Sequence, residues 1–352
     1  FNPDHLVTAE LRLPATKYPN DTVVVEFGRQ ALERLRATAG VRSAALVDAV
    51  PLSGNWGMGT FRVEGRATPD SLLPTAQMNA VSDGFFATME IPLVMGRDFG
   101  PTDRLGAPMV AIVNRELARR IWPGESPLGK RITVTGPPEV ELTVVGVAGN
   151  VKQLTLSKAD EPQLWVAKAQ NGGIFHSVVA RTAGDPDAMG DAVRNAIWAV
   201  DRDQPVWKIR PMAALLDYDL APRRFTARLA AGFALLALLL ALIGVYGVMS
   251  YVVAQRSREI GIRIALGAAR GEVVRQVLGR GLRIVAAGTA LGLVAAYFGA
   301  RVIEAQLFGV PAADAVTFVA VPLVLVGVAA LACWLPARRA ARVDAAIALS
   351  AE

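Results

Sequence analysis

The sequence predicts an α+β domain, a split βαβ arrangement interrupted by a mainly β insertion, followed by an α-helical membrane domain with three spans. Three observations predict it. Two strand–helix–strand patterns stand near the ends of residues 1–224, three charge-free apolar runs fill residues 225–352, and the charge balance changes between these two parts. Of the 37 Lys/Arg and 31 Asp/Glu, 12 and 6 fall in residues 225–352, leaving 25 of each in residues 1–224. The whole net charge of +6 therefore sits in the apolar third. Arginines flanking membrane spans produce that distribution, and it argues against nucleic acid as a partner. A chain that is 53% hydrophobic and 19% charged is also too apolar for an ordinary soluble enzyme.

The first unit opens with the strand-like VTAELRL (Val7–Leu13), then a helix from about Asp21 to Ala39. Val24, Phe27, Ala31 and Leu35 share one face of that helix, and Arg29, Glu33, Arg34 and Arg36 lie elsewhere. Gly40 ends it, and VRSAALV (Val41–Val47) reads as the second strand. The order recurs near residue 200: SVVAR (Ser177–Arg181), a helix from about Pro186 to Val200, then VWKIRPM (Val206–Met212). Two such units form one sheet covered by two helices. Between them, from about residue 53 to 175, lie short strands and turns, with TFRVEGR, RITVTG and ELTVVGVAG as candidate strands. One helix stands out there, RELARRIW (Arg115–Trp122), capped by Asn114 and stopped by Pro123.

The membrane third holds 26 uncharged residues in Leu229–Ala254, 17 in Ile284–Ala300 and 21 in Ala315–Leu335. A helix needs about 20 apolar residues to cross the hydrocarbon core, with about 17 the lower limit. Arg283 and Arg301 can snorkel outward at the ends of the middle span, and Pro322 kinks the last. The loop Gln255–Arg283 carries seven arginines against Glu259 and Glu272, and the tail adds Arg338, Arg339 and Arg342. Positive loops face the cytoplasm, which places the loop and the C-terminus inside and residues 1–224 outside. Arg223, Arg224 and Arg228 point weakly the other way, but long domains translocate largely regardless of charge. No span contains an ionisable Asp, Glu, His, Lys or Arg, which argues against an ion-coupled transporter. Gly288 and Gly292, in GTALG, make a small-xxx-small pattern for close helix packing.

Catalytic chemistry finds little support. GESPLGKRI (Gly124–Ile132) has the glycine and lysine spacing of a phosphate-binding loop. A helix precedes it and a strand follows, the reverse of the order that aims a helix N-terminus at phosphate. Arg131 stands where a Ser or Thr should hold Mg²⁺, and Pro127 removes a backbone donor. It is a turn. The acidic pairs Asp98/Asp103 and Asp201/Asp203 fit turn and cap chemistry. His5 and His176 have no metal-ligand spacing, and Cys333, the single cysteine, permits neither an intrachain disulfide nor a cysteine-based metal site. No cofactor is expected. The chain opens on Phe1 without an apolar leader, so a preceding segment is expected.

Several segments resemble a known family. GFFATMEIPLVMGRDFGPTD (Gly84–Asp103), VAIVNRELARRIWPGESPLGKRI (Val110–Ile132) and TVVGVAGNV (Thr143–Val151) resemble the extracytoplasmic core domain of MacB-type permeases. SREIGIRIALGAARGEVVRQVL (Ser257–Leu278) and LPARRAARVDAAIAL (Leu335–Leu349) resemble the FtsX-like permease domain. The resemblance covers nearly the whole chain and is greatest to the C-terminal half of duplicated orphan permeases. It implies a porter-like split βαβ pair carrying a mainly β subdomain, on a four-helix permease domain whose first helix would precede Phe1. It also implies a separate MacB-like ATPase subunit, a second permease unit (a homodimer or a duplicated half), a periplasmic adaptor and a bacterial inner-membrane location. The matching ATPase-coupling residues are Arg258, Glu259, Ile260, Arg263, Ile264 and Leu266, with Gly267 as a C-cap. The apolar members suit a helix-in-groove contact and the charged ones ion pairs, whereas the arginines alone would suit anionic lipid. The family exports or extracts peptides, antibiotics or lipoproteins. Its FtsX-like members can instead regulate cell-wall hydrolases without moving cargo, and a ligand-sensing receptor is a third reading.

Overall fold

The structure, a computed structural model, describes residues 1–55, 57–156, 158–255, 262, 270–302 and 315–340. The chain divides into two compact units, Phe1–Pro222 and Arg223–Glu352.

In the first unit, β1 (Leu6–Arg12), α1 (Asp21–Arg36) and β2 (Val41–Val47) form the first strand–helix–strand segment. Asn20 caps α1, its side-chain oxygen accepting the Val23 N–H at 3.1 Å, which satisfies one orphan donor of the first turn. The helix stops at Arg36, earlier than the sequence suggests. The Ala37 N–H still bonds to the Glu33 carbonyl at 3.0 Å, but the Thr38 N–H bonds at 3.1 Å to Leu35, only three residues back, which tightens and ends the last turn. The insertion then carries β3 (Gly57–Val63), β4 (Thr75–Val81), α2 (Phe85–Thr88), β5 (Leu93–Gly96), β6 (Val110–Asn114), α3 (Arg115–Ile121), β7 (Arg131–Val134), β8 (Val140–Ala148) and β9 (Gln163–Ala167). The chain returns through β10 (Phe175–Thr182), α4 (Gly190–Trp198) and β11 (Val206–Pro211). The expected Pro186–Val200 helix begins with a separate 3₁₀ turn, Asp187–Met189, and Met212, expected in the last strand, already belongs to the next helix.

The outer strands order β11-β1-β10-β2, all adjacent pairs antiparallel. β10 lies between β1 and β2, so each βαβ unit is split by a strand of the other. Alternate side chains face opposite sides. Val7, Ala9, Ala44, Leu46, Val178 and Ala180 pack under α1 and α4. Leu6, Ala45, Val47 and Val179 join a second core with Phe85, Phe86, Met89 and Trp165. The helices thus cover one face, and the insertion buries the other.

The insertion closes on itself. Pairing runs β4-β3-β7-β8-β6-β9, and β9 pairs in parallel with β4 (Asn79 opposite Trp165), completing a six-stranded ring. Closure removes the edge that an open sheet would expose. Phe61, Ile132, Leu142, Val144 and Leu164 are buried in its core. The ring meets the outer sheet through one β-pair, Val47 with Val81. β5 pairs with β8, where Gly96 has φ +75°. A methyl there would stand 2.2 Å from the Val145 oxygen and 2.9 Å from the Gly146 Cα, so only glycine permits the approach.

The helix α5 (Met212–Gln255) starts in the first unit, with Met212 and Leu215 buried in its core, and contains Pro222. In the second unit, α6 (Arg270–Val302) and α7 (Ala315–Ala340) pack against one another. Two of the described helices contain stretches long and apolar enough to cross a bilayer, Arg224–Val252 and Gly281–Gly299, and Phe318–Leu331 is a shorter apolar stretch. Leu236, Leu240, Ile243, Leu291 and Phe298 are exposed along them. Exposed rows of that length mark surfaces made for an apolar surrounding.

Candidate functional site

The coupling residues expected from the sequence, Arg258, Glu259, Ile260, Arg263, Ile264, Leu266 and Gly267, lie outside the described residues. Gly288 and Gly292 are described. They line an apolar groove of about 600 Å³ among α5, α6 and α7, facing Leu242, Val245, Phe318 and Leu325. A methyl built at either glycine meets no described atom of a neighbouring element within 4 Å. Their small size leaves that stretch of α6 open.

The phosphate-loop look-alike is a folded turn whose donors are used within the protein. The Gly129 N–H goes to the Val144 oxygen at 2.8 Å, and the Lys130 N–H goes to the Pro127 oxygen at 3.2 Å. The Lys130 ammonium pairs with Glu125 at 3.0 Å. Gly124 and Gly129 take positive φ, 79° and 77°, as turn glycines do.

The acidic pairs also have structural partners. The Asp98 carboxylate accepts the Phe99 N–H at 2.7 Å. Asp103, 4% exposed, accepts two bonds from the Arg97 guanidinium at 2.6 and 2.9 Å and the Gly100 N–H at 2.9 Å. Bonding from Arg97 holds the Asp103 carboxyl below its ordinary range against the opposing effect of burial. Asp201 accepts from Lys17 at 2.6 Å and from the Tyr18 hydroxyl at 2.5 Å. Burial raises the Tyr18 phenol, and the neighbouring carboxylate raises it further. Among the described residues no group of three or more His, Cys, Asp or Glu could hold a metal ion. His5 Nδ1 lies 3.2 Å from the Gly184 carbonyl, and His176 is buried with its ring 6.3 Å from that of Phe27.

One charged pair has no counterpart in the sequence analysis. Lys168, 5% exposed in a 3₁₀ turn, is ion-paired with Asp48. Burial pulls the Lys168 ammonium down and pushes the Asp48 carboxyl up, and each partner opposes the other's shift. The residues are 120 apart in the chain, and neither KAQ nor VDAV carries a local signal that they meet.

A chain with a split βαβ sheet, a closed β insertion and long apolar helices after it is a membrane protein with a large extramembrane domain. It belongs to the MacB/FtsX-like ABC transporter permease family: the MacB-like periplasmic core domain model matches residues 9–197, and the FtsX-like permease C-terminal model matches residues 231–345. The chain is 28% identical over 291 residues to the macrolide export ATP-binding/permease protein MacB of Marinobacter nauticus, covering 79% of this chain and 44% of that one. To the pyoverdine export ATP-binding/permease protein PvdT of Pseudomonas syringae pv. syringae it is 26% identical over 288 residues, 76% of this chain and 42% of that one. To the uncharacterized ABC transporter permease YknZ of Bacillus subtilis it is 27% identical over 238 residues, 65% of this chain and 58% of that one. The chain spans about half the length of these curated relatives.

Proposed function

We propose that this chain is the permease subunit of a MacB/FtsX-type ABC transporter, in which a separate cytoplasmic ATPase drives movement of the first unit to export or extract substrate. The observation that carries this is the order of the two family matches on one chain, a periplasmic core domain followed by an FtsX-like permease domain. The phosphate-loop look-alike gives no support to a nucleotide site in this chain, because the Gly129 amide is bonded to Val144, the Lys130 amide to Pro127 and the Lys130 ammonium to Glu125. The names of the relatives, two of them export proteins, support transport over hydrolase regulation. Residues 1–224 then stand on the outer side of a bacterial inner membrane, three helices cross it, and the arginine loop and C-terminus lie in the cytoplasm. Arg258, Glu259, Ile260, Arg263, Ile264, Leu266 and Gly267 form the docking helix and its cap. Gly288 and Gly292 admit a close helix of a second permease unit, and an adaptor meets the outer unit.

The test is the full chain reconstituted with the ATPase that co-purifies with it. Arg263→Glu with Ile264→Asp should return ATP hydrolysis to the rate of the ATPase alone, while hydrogen exchange in residues 1–222 stays unchanged. Undiminished stimulation by the double variant refutes the docking site.

A further inference from the structure

A cleft of about 510 Å³ opens in the first unit between α1, residues 99–105 and residues 167–171. That volume lies within the range of small-ligand sites, roughly 300–1,000 Å³. Its walls are largely apolar: Val25, Leu32, Val81, Phe99 and Leu105 line it. The charges around it are already matched, with one exception. Glu33 pairs with Arg29, and Asp83 pairs with Arg36 at 3.0 Å. Asp103 is held by Arg97, and Lys168 is held by Asp48. Each of the three acids lining the cleft therefore has a cation beside it, although Glu33 shares Arg29 with Glu26. Arg104 also lines the cleft and is exposed, and among the described residues its guanidinium has no hydrogen bond or ion pair.

An apolar hollow with compensated acids and one uncommitted guanidinium has a defined complement. We propose that this cleft binds a single-chain amphipathic anion, with its apolar body against Val25, Leu32 and Phe99 and its carboxylate on Arg104. A carboxylate can take two parallel N–H bonds from the guanidinium fork. A cationic amphiphile of the same length would place like charge beside Arg104 and finds no free acid in exchange. The salt-bridged rim, Arg36 with Asp83 and Arg29 with Glu33, frames the opening on α1. This inference concerns the first unit alone and does not rest on the coupling role of residues 258–267.

The experiment uses the full chain in nanodiscs of neutral phosphatidylcholine and a dodecanoate analogue carrying a photoreactive diazirine, with labelled peptides mapped by mass spectrometry. Label should fall within residues 25–36, 99–105 or 167–171. Dodecanoate should chase it, and dodecyltrimethylammonium should not. Arg104→Glu, an exposed change that leaves the core intact, should lower that labelling about tenfold, the worth of a charge-assisted bond. Arg104→Lys, which keeps the charge but loses the second parallel bond, should fall between that level and the wild type. Ala169→Trp, also exposed and lining the cleft, should block the site by filling its mouth. Arg263→Glu with Ile264→Asp should leave labelling unchanged, which separates this site from the coupling site. Label confined to residues 224–340, equal chase by the cationic amphiphile, or full labelling of Arg104→Glu overturns the proposal. Bilayer lipid already filling the cleft would exclude the probe, so absence of label from those three segments overturns the proposal, as does label there that dodecanoate cannot chase.

Discussion

Asp103 shows how an acid that the sequence assigns to a turn is held by the fold. The string GRDFGPTD places two acids five residues apart, and both close the same turn. Arg97, in that string, turns its guanidinium onto Asp103 with two bonds at 2.6 and 2.9 Å. The Asp103 side chain is 5% exposed, and the Arg97 side chain is 48% exposed. Removing the carboxylate leaves the part-buried Gly100 N–H without its acceptor, while the half-exposed arginine is free to hydrate. Asp103→Ala should therefore cost about 2 kcal/mol, the worth of one or two charge-assisted bonds. The pH dependence has a definite sign. The folded pKa is depressed, chiefly by the bond from Arg97, so the contribution is complete above the unfolded aspartate value of about 3.9 and is lost as pH falls through the folded value. Urea unfolding of the wild type and Asp103→Ala, followed by tryptophan emission, should show a constant gap from pH 7 to 5 and a shrinking gap below about pH 4. A gap that persists in strong acid would mean that the carboxylate acts by packing, not by charge. The local turn role was legible in the sequence. The Lys168–Asp48 pair was not, because a lysine in a short polar turn looks solvated until the fold surrounds it.

Elements divide in the same way. The two strand–helix–strand segments could be read because α1 and β1 have clear periods: Val24, Phe27, Ala31 and Leu35 are buried as the 3.6-residue repeat requires. Strands β4, β6 and β9 could not. β6 and β9, VAIVN and QLWVA, are buried at every position, so they show no alternation. β4 carries Gln77 and Asn79, which look like loop residues but bond to Gln163 and to the Ala49 carbonyl. The ring itself closes by a parallel pairing of β4 with β9, which leaves no trace in any local window. Asn114 shows where the readable and unreadable parts meet. Its role as the cap of α3 was legible, and its side-chain oxygen accepts the Leu117 N–H at 2.8 Å. The same oxygen accepts the Gln163 N–H at 3.0 Å, and its amide donates to the Glu161 oxygen at 2.8 Å, across the ring. A seven-residue helix is too short to stand alone, so the cap also fastens α3 to β9. Asn114→Ala should cost about 3 kcal/mol, more than the roughly 1 kcal/mol of an ordinary cap, because two buried amides and a part-buried carbonyl lose partners at once. Asn114→Asp, which keeps both acceptor bonds, should cost less. Chemical unfolding ranks the pair, and amide exchange at Leu117 and Gln163 should accelerate together in Asn114→Ala. Acceleration at Leu117 alone would reduce the residue to a helix cap.

For the whole molecule, the number of crossings fixes which parts share a compartment, and parity makes the count measurable. Two described stretches are long enough to span, and Phe318–Leu331 is the shorter third. One crossing separates Ser126 from Arg263 whether the total is two or three. The C-terminus separates the cases: a third crossing returns Ala351 to the side of Arg263, and its absence leaves Ala351 with Ser126. The arginine distribution favours three, since Arg256, Arg258 and Arg263 precede α6, while Arg338 and Arg339 end α7 and Arg342 follows it. Single-cysteine forms in a background with Cys333 replaced by serine, namely Ser126→Cys, Arg263→Cys and Ala351→Cys, can be exposed to a membrane-impermeant maleimide on intact spheroplasts. Ser126→Cys should label at once, and the other two only after the membrane is opened. Labelling of Ala351→Cys from outside would reduce the spans to two and move the tail away from the cytoplasm. Labelling of Ser126→Cys and Arg263→Cys from the same face would place the outer unit and the arginine loop together. An ATPase docked on the loop would then have no membrane across which to act.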